Sequence, residues 1–296
     1  MDYSHFIHYL QYEKRVSPHT VEAYGRDLQQ FSDYMENCLD IHDMTEIGNN
    51  EIRTWILTLL EDDQHSARTV NRKISTLRAF FRHELRNGRV KRNPMTLIHA
   101  PKYSQRLPEY VEARDMERLF DLEMFADSFE GVRDRLILEL FYDTGIRLSE
   151  LRNLRKSDID LNRQTVKVLG KRNKERIIPI GKTLTDLLTK YMGYYPKNIC
   201  ADNENYYIFV TADGQLLYPK AIYRIVRKYL DMVTTIDKRS PHVIRHTFAT
   251  HMLNNGADLN AIKEILGHSS LAATQVYTHN SMEQLKSIYK QAHPRA

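Results

Sequence analysis

The chain has 296 residues, of which 42% are hydrophobic and 27% are charged. This balance is typical of a globular protein and argues against a disordered or fibrous one. The length favours two domains of roughly 100 to 200 residues each. Lysine and arginine number 43 against 38 acidic residues, a formal net charge of +5 that fits a nucleic-acid partner but also many ordinary enzymes.

Membrane insertion, export and disulfide bonding are not indicated by the sequence. No window approaches the roughly 18 apolar residues that span a bilayer, and the N-terminal stretch MDYSHFIHYLQYEKR has no apolar signal-peptide core. Cys38 and Cys200 lie far apart and belong to no CxxC pair, so we expect buried free thiols rather than a disulfide or a zinc cluster. The expected location is the cytoplasm.

Apolar residues recur at helical spacing through the first hundred residues. In SPHTVEAYGRDLQQFSDYM, Ser17 is placed to cap a helix whose first residue is Pro18. A second helix is predicted over NEIRTWILTLLEDD and a third from about Ser66 to Leu85, before Gly88. The predicted inner faces of the three helices are Val21, Tyr24, Leu28, Phe31 and Met35; Ile52, Trp55, Ile56, Leu59 and Leu60; and Val70, Ile74, Leu77, Phe81 and Leu85.

The outer face of the third helix is basic. Glu84, near its end, is the one acidic residue of the segment. A basic helix face is often only a solvated surface, but the scarcity of acidic residues here favours contact with DNA phosphates. The basic side chains are Arg68, Arg72, Arg82 and Arg86, flanked by Lys73 and Arg78.

Proline punctuates the next stretch, NPMTLIHAPKYSQRLPEY, which therefore cannot form one continuous helix. We predict a helical domain over residues 1–100, a linker over 101–109 and a second domain over 110–296. The second domain begins with helices, one of which ends at Gly145 in a left-handed conformation, while the next begins at Ser149.

A short β-meander is predicted after these helices. Its strands are SDIDLN, TVKVLG and ERIIPI, and the polar tip KRNK joins the last two. Helical patterns return from Gly181 onward, apart from a possible short strand at YIFV. The sequence thus predicts a helical protein that contains one small antiparallel sheet.

The segment SPHVIRHTFATHML concentrates the groups that could carry chemistry. Ser240 and Pro241 predict a helix start, which puts His242 and Arg245 on one face of the first turns, where they suit a phosphate. His242 and His246 also have the HxxxH spacing of two metal ligands, but no glutamate lies between them and an arginine beside them would repel a cation. Phosphate binding is therefore favoured over metal binding.

Other common catalytic patterns are missing from the sequence. The GKT at positions 181–183 would complete a nucleotide-binding loop only with glycine at position 176, which holds Arg176, and no GxSxG appears. Tyr277 is one of 18 tyrosines. A phenol has a pKa near 10 and needs a base and positive charge nearby to act as a nucleophile, so in isolation Tyr277 would be interpreted as structural.

Five motifs in order change that interpretation: TGIRLSEL, LGKRNKERIIPIG, HVIRHTFATHML, LGHSSLAATQVYTH and the ending AHPRA. Together they resemble the Xer-type tyrosine site-specific recombinases of the phage-integrase family. The resemblance covers nearly the whole chain, including SPHTVEAYGRDLQQF and RKISTLRAFF in the first hundred residues. Its details lean towards the XerC branch over XerD.

The resemblance implies that Tyr277 attacks a DNA phosphodiester, leaving a 3′-phosphotyrosyl link and a free 5′-hydroxyl. Arg147 and Arg245 would hold the non-bridging phosphate oxygens, whose negative charge grows in the transition state. Lys171 would protonate the departing 5′-oxygen, and His242 would take part in proton transfer with Tyr277.

Further residues would support this reaction by the same resemblance. His268 would hydrogen-bond the phosphate or position Tyr277, and Glu150 would orient the cleft. The chain departs from the family pattern at Arg172, where glycine commonly follows the lysine, and at Ala273, where a hydroxyl residue is common. The expected DNA contacts are Arg68, Arg72, Lys73, Arg82, Arg172 and Lys174.

The implied architecture is mainly α with two domains: an all-helical, SAM-like DNA-binding domain and an α+β catalytic domain with the small antiparallel meander. A phosphotyrosyl link conserves the bond for rejoining, so no metal, ATP or other cofactor is expected. The implied partners are duplex DNA with a dif-like site and three further recombinase protomers, identical or paralogous, which the terminal SMEQLKSIYKQAHPRA would contact. A DNA translocase could regulate such an assembly on the nucleoid.

Three other functions stay open from the residues. An integrase or resolvase of a mobile element would share the same chemistry. A DNA-binding accessory protein without activity would share the fold, although the intact Arg147, Lys171, Arg245 and Tyr277 argue against it. A metal-dependent hydrolase would use His242 and His246.

Overall fold

The computed structural model describes residues 1–62, 65–102, 109–170, 174–196, 205–267 and 279–295. The chain divides into two compact units, Met1–Arg106 and Leu107–Ala296. None of the described helices combines the length and the apolar character that crossing a bilayer requires.

The first unit is helical. Ser17 accepts a hydrogen bond from the backbone N–H of Thr20, and Ser66 does the same for Thr69, so both helix starts are capped by a serine hydroxyl. The predicted cap at Ser17 is confirmed. The elements are α1 (Ser4–His8), a π-helical segment (Tyr9–Glu13), α2 (Pro18–Leu39), a 3-10 turn (Met44–Glu46), α3 (Asn49–Glu61) and α4 (Ala67–Arg86).

Aromatic side chains hold α2, α3 and α4 together. The ring of Phe31 lies 4.9 Å from that of Trp55 and 6.2 Å from that of Phe81, both edge-on. Three details of the predicted burial are wrong. Leu60 and Leu85 are each 40% exposed, because one lies at the margin of the α3 stripe and the other in the last turn of α4. Cys38 is exposed, since the neighbouring Leu39 packs against the core in its place.

A buried carboxylate joins α2 to α4. Asp27 is 1% exposed and accepts hydrogen bonds from Arg72, from Lys73 Nζ at 3.3 Å and from Thr76 Oγ1 at 2.8 Å. Lys73 also donates to Gln30 and is 5% exposed. The placement of Lys73 beside the outer basic face is therefore wrong, because Asp27 draws its ammonium group between the helices.

The second unit combines helices with one small sheet. Its strands are β1 (Ile159–Asp160), β2 (Thr165–Leu169) and β3 (Glu175–Pro179). Its helices are α5 (Ala113–Leu119), α6 (Phe129–Thr144), α7 (Leu148–Arg152), α8 (Lys182–Tyr194), α9 (Pro219–Val233), α10 (Pro241–Asn254), α11 (Leu259–Leu266) and α12 (His279–Ala292), with 3-10 turns at Leu122–Met124 and Lys156–Asp158.

The sheet is antiparallel in the order β1-β2-β3, as the sequence predicts. Leu169 pairs with Glu175 at the end of the β2–β3 ladder that leads into the connection, and Gly170 N donates to Lys174 O at 2.8 Å. The stretch YIFV contributes an isolated bridge between Val210 and Leu216. The mainly helical fold class with a small antiparallel sheet is confirmed.

The C-terminal segment packs on its own unit. In α12, Leu285, Tyr289 and Ala292 are at most 4% exposed, and Arg295 Nη2 lies 3.3 Å from Glu139 Oε1. The apolar side of this segment is covered by the core of the same chain, and its contact with a neighbouring protomer stays a prediction.

We predict that Asp27→Asn destabilises the first unit by about 3 kcal/mol, because the change leaves the buried Lys73 ammonium without a charge partner. Trp55 is the single tryptophan of the chain and is 1% exposed, so urea unfolding followed by its fluorescence monitors this unit alone. Asp33→Asn on the exposed side of α2 is the matched control. A loss below about 1 kcal/mol would show that Asp27 does not hold the two helices together.

Candidate active site

Gly145 forms the turn on which the site is built. It ends α6 with a φ of +57°, a left-handed conformation that favours glycine. A Cβ at this position would lie 2.6 Å from the Phe248 ring and 2.7 Å from Leu266. Only glycine therefore lets the end of α6 approach α10 and α11 this closely. Arg147 follows two residues after this turn.

Glu150 holds Arg147 in two ways. Its Oε2 accepts from the backbone N–H of Arg147 at 2.7 Å, and its Oε1 accepts from Arg147 Nη1 at 2.8 Å. The first contact caps α7, while the second fixes the guanidinium group. The supporting role that the family resemblance implies for Glu150 agrees with these contacts, and it stays a proposal.

Arg176 is a site residue that the sequence reasoning did not identify. Its Nη1 and Nη2 donate to Oε1 and Oε2 of Glu150, each at 2.9 Å, and its Nε donates to Ile265 O at 2.6 Å. Two-residue periodicity could have found it, because Arg176 lies on the same inward face of β3 as the fully buried Ile178. An arginine at an inward position requires a buried anionic partner.

Three arginines donate hydrogen bonds to carbonyls at the carboxyl end of α11. Arg176 Nε donates to Ile265 O, Arg245 Nη2 donates to Leu266 O at 2.6 Å, and Arg147 Nη2 donates to Gly267 O at 3.2 Å. The last carbonyls of a helix lack partners within the helix and carry the negative end of its dipole. Three consecutive carbonyls thus stabilise the three positive charges.

Arg245 is the most enclosed of the groups proposed to hold the phosphate. It is 9% exposed, and it also donates to Gly145 O. Burial and the neighbouring charges of Arg147 and Arg176 lower the pKa of its guanidinium to about 10. It therefore stays charged at neutral pH, in surroundings that favour an anion.

Glu150 stays ionised despite its burial. Burial alone would raise its pKa, but the hydrogen bonds and charge of Arg176, together with the contacts from Arg147, lower that pKa to about 2. Among the described residues, two guanidinium groups donate hydrogen bonds to this one carboxylate, and that of Arg245 interacts with its charge. The resulting excess of positive charge suits a phosphodiester.

The first turn of α10 carries His242 and Arg245 three residues apart. The helix begins at Pro241, as predicted, and His242 is exposed while His246 is partly buried. Within the described parts of the chain, no group of three or more His, Cys, Asp or Glu residues is arranged to hold a metal ion. His242 is thus open to a ligand that approaches this end of the helix.

Four predicted site residues lie outside the described residues: Lys171, Arg172, His268 and Tyr277. In the sequence, Lys171 follows Gly170 and His268 follows Gly267. Lys174, the last residue of the KRNK tip, is exposed.

The predicted basic face of α4 is largely exposed. Arg68, Arg82 and Arg86 are exposed, and Arg72 is exposed over 48% of its side chain although it also contacts Asp27. A concave region of about 520 Å³ between α2 and α4 adds three polar residues that the sequence reasoning missed, Arg26, Asp27 and Gln30. Its lining is Ala23, Arg26, Asp27, Gln30, Arg72 and Lys73.

Both units of the chain match models of known protein families. Residues 109–284 match the model of the phage integrase family, and residues 4–88 match that of the phage integrase N-terminal SAM-like domain. The chain belongs to the phage integrase family. The predicted enzyme class, a tyrosine recombinase that cleaves and rejoins DNA, is confirmed by this membership and by the relatives described next.

Two curated relatives span nearly the whole chain. Tyrosine recombinase XerC of Oceanobacillus iheyensis is 38% identical over 98% of this chain and 95% of its own length. Tyrosine recombinase XerD of Listeria monocytogenes serotype 4b is 37% identical over 98% of both. The predicted Xer-type membership is confirmed, while these near-equal identities favour neither branch.

Solved structures share the fold. The XerH site-specific recombinase bound to palindromic difH substrate, in a post-cleavage complex, matches with a TM-score of 0.70 and 20% identity, over 90% of this chain and 78% of that one. A lambda integrase (75–356) dimer bound to a COC′ core site matches with a TM-score of 0.67 and 17% identity, over 92% of this chain and 97% of that one.

We predict that Glu150→Gln destabilises the second unit by an amount that depends on pH. The folded-state pKa of Glu150 is lowered to about 2, so its carboxylate contributes stability above the unfolded-state pKa of about 4.3, and that contribution is lost as the pH falls towards 2. The difference in unfolding free energy between the wild type and the variant should be constant above about pH 5 and shrink below about pH 4.

Chemical denaturation between pH 3 and pH 7, followed by circular dichroism, measures this difference. Glu175→Gln is the matched control, because Glu175 precedes Arg176 on the same strand but has an exposed side chain. A difference for Glu150→Gln that stays constant down to pH 3 would contradict the assignment of an ionised, doubly paired Glu150.

Proposed function

We propose that this recombinase resolves chromosome or plasmid dimers at a dif-like site through a phosphotyrosyl link on Tyr277. The observation that carries the proposal is the convergence of Arg147 and Arg245 on the carboxyl end of α11. His268 follows that helix end directly, and Tyr277 comes nine residues later. We propose that these two arginines form a phosphate site at the start of the segment that carries the proposed nucleophile.

The proposed reaction is a transesterification at phosphorus. The phenolate oxygen of Tyr277 bonds to the phosphorus, and the bond from phosphorus to the 5′-oxygen breaks. Lys171 donates a proton to the departing 5′-oxygen, and His242 accepts the proton of the phenol. Arg147 and Arg245 stabilise the negative charge on the non-bridging oxygens.

Rejoining follows the same steps in reverse with a different 5′-hydroxyl. One phosphodiester is exchanged for another at every step, so the number of phosphodiester linkages does not change. ATP is therefore not needed, and positioned cations of the protein supply the charge stabilisation that a metal ion would otherwise provide.

The proposed partner of the first unit is duplex DNA, through Arg68, Arg72 and Arg82 on α4. We withdraw Lys73 from the predicted contacts because it is buried against Asp27. Lys174 and Arg172 are proposed to contact DNA from the hairpin of the second unit. Backbone contacts of this kind set affinity and register rather than sequence preference.

The relatives named XerC and XerD and the difH complex of XerH support assembly on a dif-like site. We propose a tetramer on two sites, either of this chain alone or with a paralogous recombinase, under the control of a DNA translocase. Such an assembly would act in the cytoplasm on the nucleoid.

We predict that Tyr277→Phe abolishes covalent attachment to DNA, because phenylalanine has no oxygen to bond to phosphorus. Purified protein is incubated with sheared genomic DNA from its source cell and denatured in detergent, and the DNA that remains attached is sequenced. The most frequent sequence is then made as a nicked duplex whose cleaved end diffuses away, which traps the adduct.

Tyr194→Phe is the matched control, since it removes the exposed hydroxyl that donates to Asp127. It should form the adduct at the wild-type rate. An adduct that persists in Tyr277→Phe would refute Tyr277 as the nucleophile. Specific binding by the wild type without any adduct would instead favour the inactive accessory protein.

We predict that Arg82→Ala weakens binding to this duplex and reduces the slope of log affinity against log salt by about 1, because one phosphate contact is lost. Arg163→Ala is the control, because Arg163 is an exposed arginine in the turn between β1 and β2. Fluorescence anisotropy between 50 and 300 mM salt measures both slopes. Equal slopes for Arg82→Ala and the wild type would remove Arg82 from the proposed interface.

A further inference from the structure

Arg176 has no part in the reaction described above, yet it contacts both Glu150 and the carboxyl end of α11. It is 5% exposed. Its Nε, Nη1 and Nη2 donate to Ile265 O and to both oxygens of Glu150. A side chain so enclosed and so fully engaged is not placed to bind a DNA phosphate itself.

Arg176 also lies close to the backbone at two places in the site, Gly170 and Gly267. A Cβ at Gly267 would lie 3.1 Å from Cδ and Nη1 of Arg176, and a Cβ at Gly170 would lie 3.6 Å from the same Nη1. Gly170 precedes Lys171 and Gly267 precedes His268 in the sequence. The backbone therefore passes against this one guanidinium group directly before each of these two catalytic candidates.

Arg176 also determines how Glu150 can hold Arg147. A carboxylate with one partner can rotate about its terminal bond, whereas a two-pronged guanidinium contact fixes its plane. Oε1 of Glu150 then faces Arg147 Nη1 at 2.8 Å while it also accepts from Arg176 at 2.9 Å. The orientation of the Arg147 guanidinium is thus set by a residue on β3.

We infer that Arg176 is a positioning residue of the recombinase: it aligns Arg147 through Glu150 and holds the carboxyl end of α11, on which Arg245 also depends. The inference rests on the proposed function of Arg147 and Arg245 as the phosphate clamp. Since the two clamp residues donate to the two carbonyls that follow the one held by Arg176, a displacement of this helix end changes the geometry of the clamp.

The consequence for the reaction follows from geometry. Reacting groups must lie within a narrow range of positions, and a displacement of about 1 Å can lower a rate on the order of 100-fold. Lysine at position 176 keeps the positive charge but provides one ammonium group in place of the planar fork. It cannot hold both oxygens of Glu150 and Ile265 O in the same arrangement.

The test is Arg176→Lys in the full chain, with the nicked duplex that carries the sequence recovered by covalent capture. We expect the single-turnover rate of adduct formation at saturating protein to fall on the order of 10- to 100-fold. The Kd for the same duplex should stay within twofold of the wild type, because Arg176 is buried and is not one of the proposed DNA contacts. Final adduct yield corrects each rate for the fraction of active protein.

Arg163→Lys is the matched control, because it makes the same replacement at a side chain that is 84% exposed in the same meander. It should leave both the rate and the Kd unchanged. If Arg176→Lys does not fold, Glu150→Asp gives the same test, since it keeps the charge and withdraws the carboxylate by one methylene. The expected result is again a slower rate at an unchanged Kd.

Coupling distinguishes positioning from a general loss of stability. If Arg176 acts through Glu150, the double variant Arg176→Lys/Glu150→Gln should be slowed by less than the product of the two single effects. A rate within twofold of the wild type for Arg176→Lys, or a slower rate explained entirely by weaker binding, would overturn the inference. A wild type that forms no adduct would contradict the proposed function itself.

Discussion

Like charges repel, so three guanidinium groups share one small volume only if something negative holds them there. In this protein the carboxyl end of α11 and the carboxylate of Glu150 do so: Ile265, Leu266 and Gly267 each accept from a different arginine. The helix dipole and the ionised Glu150 offset part of the repulsion, and the remaining excess of positive charge can bind an anionic ligand. The left-handed turn at Gly145, the inward-facing β3 and the start of α10 are the elements that bring these groups together.

Much of the fold could be predicted from the sequence because its signals are local. Ser17 with Pro18 and Pro241 mark helix starts, Gly145 marks a helix end, and alternation marks the hairpin of β2 and β3. Arg147, His242 and Arg245 were identified because they lie in motifs that keep their order along the chain. The family assignment therefore needed no tertiary information.

The supporting contacts could not be predicted in the same way, because they join residues that are distant in sequence. Nothing near Arg176 indicates that its partners are Glu150, 26 residues earlier, and Ile265, 89 residues later. The burial of Lys73 could not be predicted for the same reason, since its partner Asp27 lies on another helix. A helical repeat shows which face a residue occupies but not whether a buried carboxylate will draw a neighbouring cation inward.

Asp27 gives the α2–α4 surface a property that a count of its arginines would miss. Cations condensed on DNA leave when a protein binds and so add entropy to binding. A mobile anion beside an exposed arginine can leave in the same way, but a carboxylate built into the protein cannot. Arg72 contacts such an internal counterion before any DNA arrives. The proposed contact of Arg72 with a phosphate would therefore share the guanidinium charge between the phosphate and Asp27, which suits a protein that must bind DNA and also release it.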